Sequence, residues 1–591
     1  MAGPGRVRTT IAHSGPGMPS PCHVTVAETR PARVALSQAA CVELPATPLL
    51  GSRHEDGESD HGIHWQPMDR SNIQPGGEKY APNHLFTVPA ANGGPVNFLP
   101  DAPDGKTPVL WTAEEKRYGR IIGREPAVRT RKEMMAKKAV LIIGSGPAGI
   151  AAACAAADNG ANTTLIEAHP YLGGELVSGL PVDGCLNARG EWLVGGAAQA
   201  LFDGCEHRNG YIGPVFDWRL NWGVCIDPMA MRLAIVEELA RRRVSLMLGS
   251  IVDDAVVLEN RIAEIELIQR QGRTRLKGDI FVDASGDGAL AVLAGAEHEQ
   301  AVPADLQPVS LTFRVGNVDI PSLMAFIRDH PEELVLAESP IIDKSPTECA
   351  QALYDAGLPF VPLSAKGGIL GEAIATGAVA PCTAVFMWPT SLARQEVGLN
   401  MTRLAGVDAT DNVALSSILP ELTRQVEKGV AFLKASVPGF ADAVLSDTAY
   451  NVGVRETRRI CGETVLTEDA VREARRSSDA IARGAHHIDV HGSGTAQTRI
   501  PVAGGGSYDI PYGCLIPRGV DNLLVAGRCV SSTRAANGSC RVMGTCLATG
   551  QAAGTAAAMC ADEPVPHPGR LDLTALQTRL QEQGAVLNGT A

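Results

Sequence analysis

Apolar and polar positions follow two regimes along the chain. Up to about residue 136, no period of 2 or 3.6 is sustained. Stretches such as GPGRVRTTIAHSGPGMPSP and SRHEDGESDHG mix charge, Gly and Pro without alternation. From residue 137 the pattern becomes regular. Ala139–Ile143 is a short, wholly apolar run, which predicts a strand buried on both faces. Pro147–Asn159 is Ala-rich and predicts a helix. Thr163–Ile166 predicts a second strand, ending at Glu167. Together they make one βαβ unit of about 30 residues. Pro228–Arg243 reads as an amphipathic helix, with Met231, Ile235 and Leu239 along one stripe and Val236 beside it. Strands are predicted at Ser245–Leu248, Asp254–Leu258, Ile262–Gln269 and Asp279–Asp283, the last running into ASGDG.

The pattern changes between about 306 and 500. Val309–Val315 and Ala384–Met387 read as strands, and Asn412–Ser436 as one long helix ended before Pro438. A short apolar strand returns at Asn522–Ala526, and a helix of small residues follows at about Met543–Cys560. Leu571–Glu582 reads as a surface helix. The expected layout is an irregular or disordered extension (1–136), a first α/β part (137–305), an inserted α+β domain (306–504), the α/β part again (505–562) and a C-terminal tail (563–591). The extension holds 16 of the 39 prolines. A short helix is expected within Val109–Gly123. The extension reads as a docking arm, as a segment without chemistry, or as the product of an upstream start, with Met134 and Met135 marking the alternative.

Composition narrows the function. Lys+Arg is 52 against Asp+Glu 65, a net charge of -13, which disfavours general nucleic-acid binding. No apolar run reaches the roughly 18 residues of a membrane span. The 14 cysteines include no CxxC pair, which argues against zinc ribbons, iron–sulfur clusters and redox dithiols; no metal is expected. No secretory leader is visible, so the expected location is cytoplasmic, with reduced thiols.

Gly144-Ser145-Gly146-Pro147-Ala148-Gly149 fits GxGxxG between a strand and a helix, and Glu167 closes the next strand. The first glycine allows a tight turn, the second lets backbone approach a pyrophosphate, and the third lets helix pack on strand. Phosphate would sit at the helix N-terminus, and the Glu167 carboxylate would accept ribose hydroxyls. Two further glycine turns stand out: VDASGDG (282–288) and LLVAGRC (523–529). With Gly173-Gly174, this set resembles the glutathione-reductase-like FAD-dependent oxidoreductases. More narrowly it resembles flavoproteins described as heterodisulfide-reductase-A-like. The narrower likeness rests on GVDATD (406–411), VPGF (437–440), GVRETRRICGE (453–463), IPYGCLIPRGVDNLLVAGRCVSST (510–533) and RVMGTCLATGQAAGTAAA (541–558).

The resemblance covers residue 137 to the C-terminus. It implies a Rossmann-like, three-layer domain with a mostly parallel sheet, interrupted by a substrate domain, and FAD as cofactor. It places Gly144–Gly149 at the pyrophosphate, Glu167 at the ribose, and Gly173, Gly174 and Ser178 towards the flavin. Ile251 or Val252 would meet the adenine. Ala284 and Gly286 would pass beside the dinucleotide, and Gly527 and Arg528 would lie by the ribityl chain. The Arg541–Thr545 stretch, with Gly544 and Thr545, would present helix N-terminal amides to the flavin. A second GxGxxG for a nicotinamide is absent from the sequence.

A flavin enzyme oxidising a C–H bond needs a base for the substrate proton. His486, His487 and His491, in GAHHIDVHGSG, are the candidates, and in a strand His487, Asp489 and His491 would share one face. A surface polar loop or a weak metal site would also explain them. Arg455 and Arg459 would share a helix face and could grip a substrate carboxylate or belong to an ion-pair network. Arg541 is a second anion candidate, and Asn400 and Thr402 would line a cavity or a sheet edge. Cys529, Cys540 and Cys546 are expected near the flavin, as packing thiols or as a nucleophile. The expected activity is hydride transfer between flavin N5 and a small hydroxylated or carboxylated substrate, with an external electron acceptor or donor. Alternatives are a fumarate-reductase-type alkene reductase and an electron-transfer flavoprotein. A homo-oligomer stays open; neither nucleic acid nor a membrane is an expected partner.

Overall fold

The computed structural model describes residues 139–588 except 493 and 495, together with an antiparallel hairpin of Phe86–Pro89 and Pro95–Phe98. The hairpin lies in a segment whose pattern announced no regular element. The short helix expected within Val109–Gly123, and Met134 and Met135, lie outside the described residues.

Strand β1 (Ala139–Ile143) leads into helix α1 (Pro147–Asp158) and strand β2 (Asn162–Glu167), as the apolar runs predict. Helix α2 (Pro228–Arg241) starts at an Asp227 side-chain cap and buries Met231, Ile235 and Leu239. Val236, expected beside that stripe, is instead 47% exposed. Strand β3 (Ser245–Leu248) follows, then a three-stranded antiparallel sheet (Ile251–Leu258, Arg261–Gln269, Gly272–Leu276), then β4 (Ile280–Asp283).

A second sheet is built from β5 (Phe313–Gly316), β6 (Val361–Ser364), β7 (Ala384–Ser391), β8 (Glu396–Asn400) and, after helix α3 (Leu419–Ser436), β9 (Val444–Thr448). Its order is β6-β7-β8-β5-β9, antiparallel throughout. Phe313, Val385, Leu399, Leu422 and Leu433 share its core. The single long helix expected at Asn412–Ser436 is two: Asn412–Ser417 ends before α3. Pro420 lacks the N–H that would continue the ladder.

The chain then gives β10 (Ile488–His491), β11 (Leu523–Val525) and helix α4 (Met543–Ala561). The main sheet has the order β11-β4-β1-β2-β3, parallel at every pairing. The fold is therefore mixed α/β around a five-stranded parallel sheet. Helices α1 and α4 are made almost wholly of buried small residues and pack directly on each other. The last helix, Leu573–Glu582, is more than a surface element, because Leu576 and Leu580 are fully buried. Among the described residues, no helix is long and apolar enough to cross a membrane.

Candidate functional site

Strand β1 ends at Gly144, whose φ of +93° favours glycine; a Cβ there would also lie 2.6 Å from the Ala284 carbonyl oxygen. A Cβ on Gly149 would sit 1.8 Å from the Gly144 oxygen, so the turn and the helix start close on each other. Gly146 differs: nothing lies within 4 Å of where its Cβ would be. It is also the N-cap of α1, with Pro147 next, no side-chain cap and no acidic residue in the first turn. Gly174 approaches the Gly146 Cα, and Gly173 N donates to Ser145 O at 3.1 Å. Uncapped amides facing open space suit a dinucleotide phosphate.

Glu167 is buried beside this turn. Its carboxylate accepts Ser145 N and Ser145 Oγ, both at 2.7 Å, and His169 N at 2.8 Å. Of the roughly four lone-pair sites of a carboxylate, about one remains for a ribose hydroxyl. Glu167 thus braces the glycine turn.

At the far end, α4 begins after Val542 without a side-chain cap or an acidic first-turn residue. Gly544 lies against the Gly184 backbone, and the buried Thr545 Oγ1 has no partner. A cavity opens here, lined by Glu175, Asp183, Arg455, His486, Arg541 and Met543 among others. Arg528 lines it too, tied to Asp287 at 2.8 Å and packed beside Gly286. Gly527 N donates to Thr549 Oγ1 at 3.3 Å. Ser178 Oγ donates to Glu175 O at 2.8 Å. Val252 sits in the antiparallel side sheet, paired with Leu267, and Ser250 N donates to Glu167 O at 2.9 Å, which ties the start of that sheet to the end of β2. Two helix starts without side-chain caps, and an orphaned hydroxyl on the second, fit a long dinucleotide such as FAD.

A second cavity adjoins the first and shares Asp183, Asn400, Arg455, His486, Asp489 and His491 with it. Strand β10 places Asp489 and His491 on one face, as alternation predicts; His487 precedes the strand but lines the same cavity. Arg403 Nη1 lies 2.9 Å from His491 Nδ1, and His491 Nε2 lies 2.8 Å from Asp489 Oδ2. Arginine can only donate, so His491 Nδ1 accepts and Nε2–H donates to Asp489. Neither ring nitrogen of His491 is left for a substrate proton. Gln497 Nε2 donates to the other Asp489 oxygen at 2.6 Å. His486 stacks on His487, ring centroids 4.1 Å apart, and its Nδ1 lies 2.7 Å from the His487 carbonyl. Nδ1 must therefore carry the proton, which leaves Nε2 as a lone pair. His487 Nδ1 is buried without a partner.

Burial dominates the electrostatics. It pushes His486 and His491 down to about 4 and His487 well below its ordinary range. Burial alone would raise Asp489, but His491, His487 and Arg541 outweigh it and hold the carboxyl low. Asp183 is pushed up to about 8 by burial, with Asp217 and Asp489 adding repulsion, and its Oδ1 has no partner. Burial lowers Arg455 to about 10, and the neighbouring Arg541 contributes. Burial raises Cys540 to about 11, Cys546 to about 12 and Cys529 well up, so these behave as packing thiols.

Two arginine expectations change. Arg455 and Arg459 share no helix face: Gly453 pairs with Ser310 as an isolated bridge, and Arg459 lies in a two-residue strand. Arg459 lines neither cavity; it is tied to Glu456 and Glu299 at 3.2 Å each and to Ser532 O. Arg455 and Asn400 line both cavities, and Arg541 lines the first. Thr402 lines the second, but its hydroxyl is spent on the Leu311 backbone. Asp183, Arg219 and Glu175 were not picked out from the sequence, since no local motif surrounds them.

A family profile described as FAD dependent oxidoreductase matches residues 139–580. No curated protein matches the chain. Among solved structures, it is similar to a geranylgeranyl bacteriochlorophyll reductase-like protein from Thermoplasma acidophilum, at 12% identity over 76% of this chain and 82% of that one, with a TM-score of 0.36. It is similar to the flavin-dependent brominase Bmp2 at 11% identity, over 76% and 83%, TM-score 0.37. It is similar to 2-methyl-3-hydroxypyridine-5-carboxylic acid oxygenase at 14% identity, over 76% and 87%, TM-score 0.36. Scores this low lend the chain no activity; the match over residues 139–580 does what they do not, and the chain belongs to the FAD dependent oxidoreductase family, as an enzyme with FAD as its cofactor.

Proposed function

We propose that this enzyme transfers a hydride between a small organic substrate, bearing a hydroxyl or carboxyl group, and its flavin. The supporting observation is His486: Nδ1–H is committed to the His487 carbonyl at 2.7 Å, and the ring lines both cavities. FAD, when bound, supplies the two-electron centre. Residues 137–305 and 505–562 would hold it, and 306–504 would form a substrate domain over it. His486 Nε2 takes the proton of the substrate hydroxyl; burial keeps this ring unprotonated down to about pH 4, so Nε2 is free to accept at neutral pH, as a weaker base than an ordinary histidine. Asp489, Arg403 and His491 hold the wall in register. Arg455 favours a second reading, alkene reduction with arginine as proton donor, because burial lowers it to about 10.

An anaerobic visible spectrum tests the reading. Purified protein should carry oxidised flavin that NADH and NADPH leave unbleached, while a member of a panel of hydroxy acids, alcohols and amines bleaches it. Rapid bleaching by a nicotinamide, or no flavin after reconstitution, refutes it. Reoxidation of chemically reduced flavin by unsaturated acids alone would favour the second reading.

A further inference from the structure

Five arginines line the two cavities, and their ion pairs differ. Arg219 meets Glu338 at 2.7 Å, and Arg528 meets Asp287 at 2.8 Å. Arg541 reaches Asp489 only at 3.7 Å. Arg403 and Arg455 have no carboxylate within 4.0 Å among the described residues. Arg403 is committed instead to His491 and to the Gly492 and Ala496 carbonyls. Arg455 is not fully committed. Its Nη1 donates to Pro308 O and Ser310 Oγ, both at 2.7 Å, which uses both protons on that nitrogen. Its Nε and Nη2 make no hydrogen bond among the described residues, and neither is a buried orphan, so this edge of the guanidinium borders the cavity.

Two parallel N–H groups on a fixed guanidinium match the two oxygens of a carboxylate. A cation taken out of water without a counter-charge is costly, and here the protein supplies no contacting anion. Asp489, the ionised carboxyl on these walls, is taken up by His491 and Gln497, at 2.8 and 2.6 Å; Asp183 and Glu175 are both displaced by burial towards the protonated form. An anion from outside completes the site.

We infer that the substrate carries a carboxylate, gripped by the Nε–Nη2 edge of Arg455 with Arg403 behind it as a second positive charge, and that a hydroxyl-bearing carbon of the same molecule lies by His486. This rests on the hydride-transfer reading for the hydroxyl, but not for the carboxylate. The substrate class is a small hydroxycarboxylate.

The test is a binding titration that needs no turnover. The full-length FAD-loaded enzyme is titrated with acetate, lactate and propionate, and with acetamide, lactamide and propionamide, while the bound-flavin absorbance is followed. Carboxylates should perturb the spectrum saturably, and each amide should bind at least tenfold more weakly. Arg455→Gln should weaken carboxylate binding about ten- to a hundredfold, the scale of a lost charged hydrogen-bond pair, and Arg455→Lys should recover part of it. Amides binding as tightly as acids, or Arg455→Gln binding acids like wild type, overturns the inference; so does a guanidinium that serves only the flavin, which gives the same equality. Should Arg455→Gln lose FAD, the wild-type ratio of acid to amide decides alone. Acid binding without bleaching by any hydroxy acid would sink the hydride reading and leave the carboxylate site standing.

Discussion

The packing of α1 on α4 gives the sharpest structural test. A Cβ on Gly554 would lie 2.1 Å from Ala152 O and 2.7 Å from its C and Cα. One turn earlier, a Cβ on Gly550 would lie 2.1 Å from Ala148 O. Ordinary contact begins near 3.4 Å, so a methyl at either place must push the helices apart by more than an ångström. The obstacle is backbone, and no rotamer change relieves it. In an exposed helix, Gly→Ala is stabilising by about 1 kcal/mol. Here overpacking reverses the sign, with a cost of about 3 kcal/mol, the upper part of the usual range. The damage should reach the cofactor if the uncapped start of α1 holds its phosphate as proposed, and α4 begins beside the first cavity. Gly554→Ala should lower the apparent Tm by about 3 °C and reduce the flavin retained per protein, measured by differential scanning fluorimetry and by absorbance. Gly316→Ala is the control, since its φ is not positive and its nearest atom is 3.6 Å away. If Gly554→Ala melts with wild type and keeps its flavin, the reading of this contact is wrong.

Three further outcomes are expected. Glu167→Gln puts an amide N–H against the donors Ser145 or His169, losing a charge-assisted bond of about 1.5–3 kcal/mol; the FAD Kd should rise about tenfold or more by fluorescence titration, and an unchanged Kd would remove the bracing role. His486→Asn should slow flavin reduction by whichever compound bleaches wild type, about 10²–10⁴-fold, with the resting spectrum intact. The wild-type rate should stay flat from pH 8 to about 5 because burial holds His486 near 4; a fall centred near 6.5 would exclude it as the base. Asp183→Asn tests the buried acid. Asp183 is raised to about 8, so between about pH 4 and 8 the native state holds a proton the unfolded chain has released. Its contribution to stability is present below about 4 and is lost as pH rises through 8, with a slope of about 1.4 kcal/mol per pH unit. The variant should gain on wild type from pH 5 to pH 8 in urea midpoint; a constant gap would mean Asp183 is ionised throughout.

The glycine turn between β1 and α1 was legible because its requirements are contiguous. Gly144, Gly146 and Gly149 act within one turn, and the apolar run before them dictates the strand that aims that turn. The wall of the two cavities was legible only in part. Alternation in IDVH placed Asp489 and His491 together, because a two-residue period survives folding. It did not reveal that Arg403, 88 positions away, would occupy His491 Nδ1 and leave the lone pair on His486 instead. The spacing of Arg455 and Arg459 suggested a helix, yet Gly453 exchanges both backbone hydrogen bonds with Ser310, and that distant partner fixes an extended chain. Extension turns the two arginines apart: one goes to the cavity and the other to Glu456 and Glu299. Asp183 had no signal at all. Its carboxyl is unusual because the fold buries it, with Gly223 of the antiparallel partner strand alongside, and because Asp217 and Asp489 add their repulsion. A pKa is set by what surrounds a group in space, and sequence neighbours are a small part of that surrounding. Chemistry that depends on one strand–turn–helix is therefore readable from residue types, whereas chemistry that depends on desolvation has to wait until the walls of the cavity are in place.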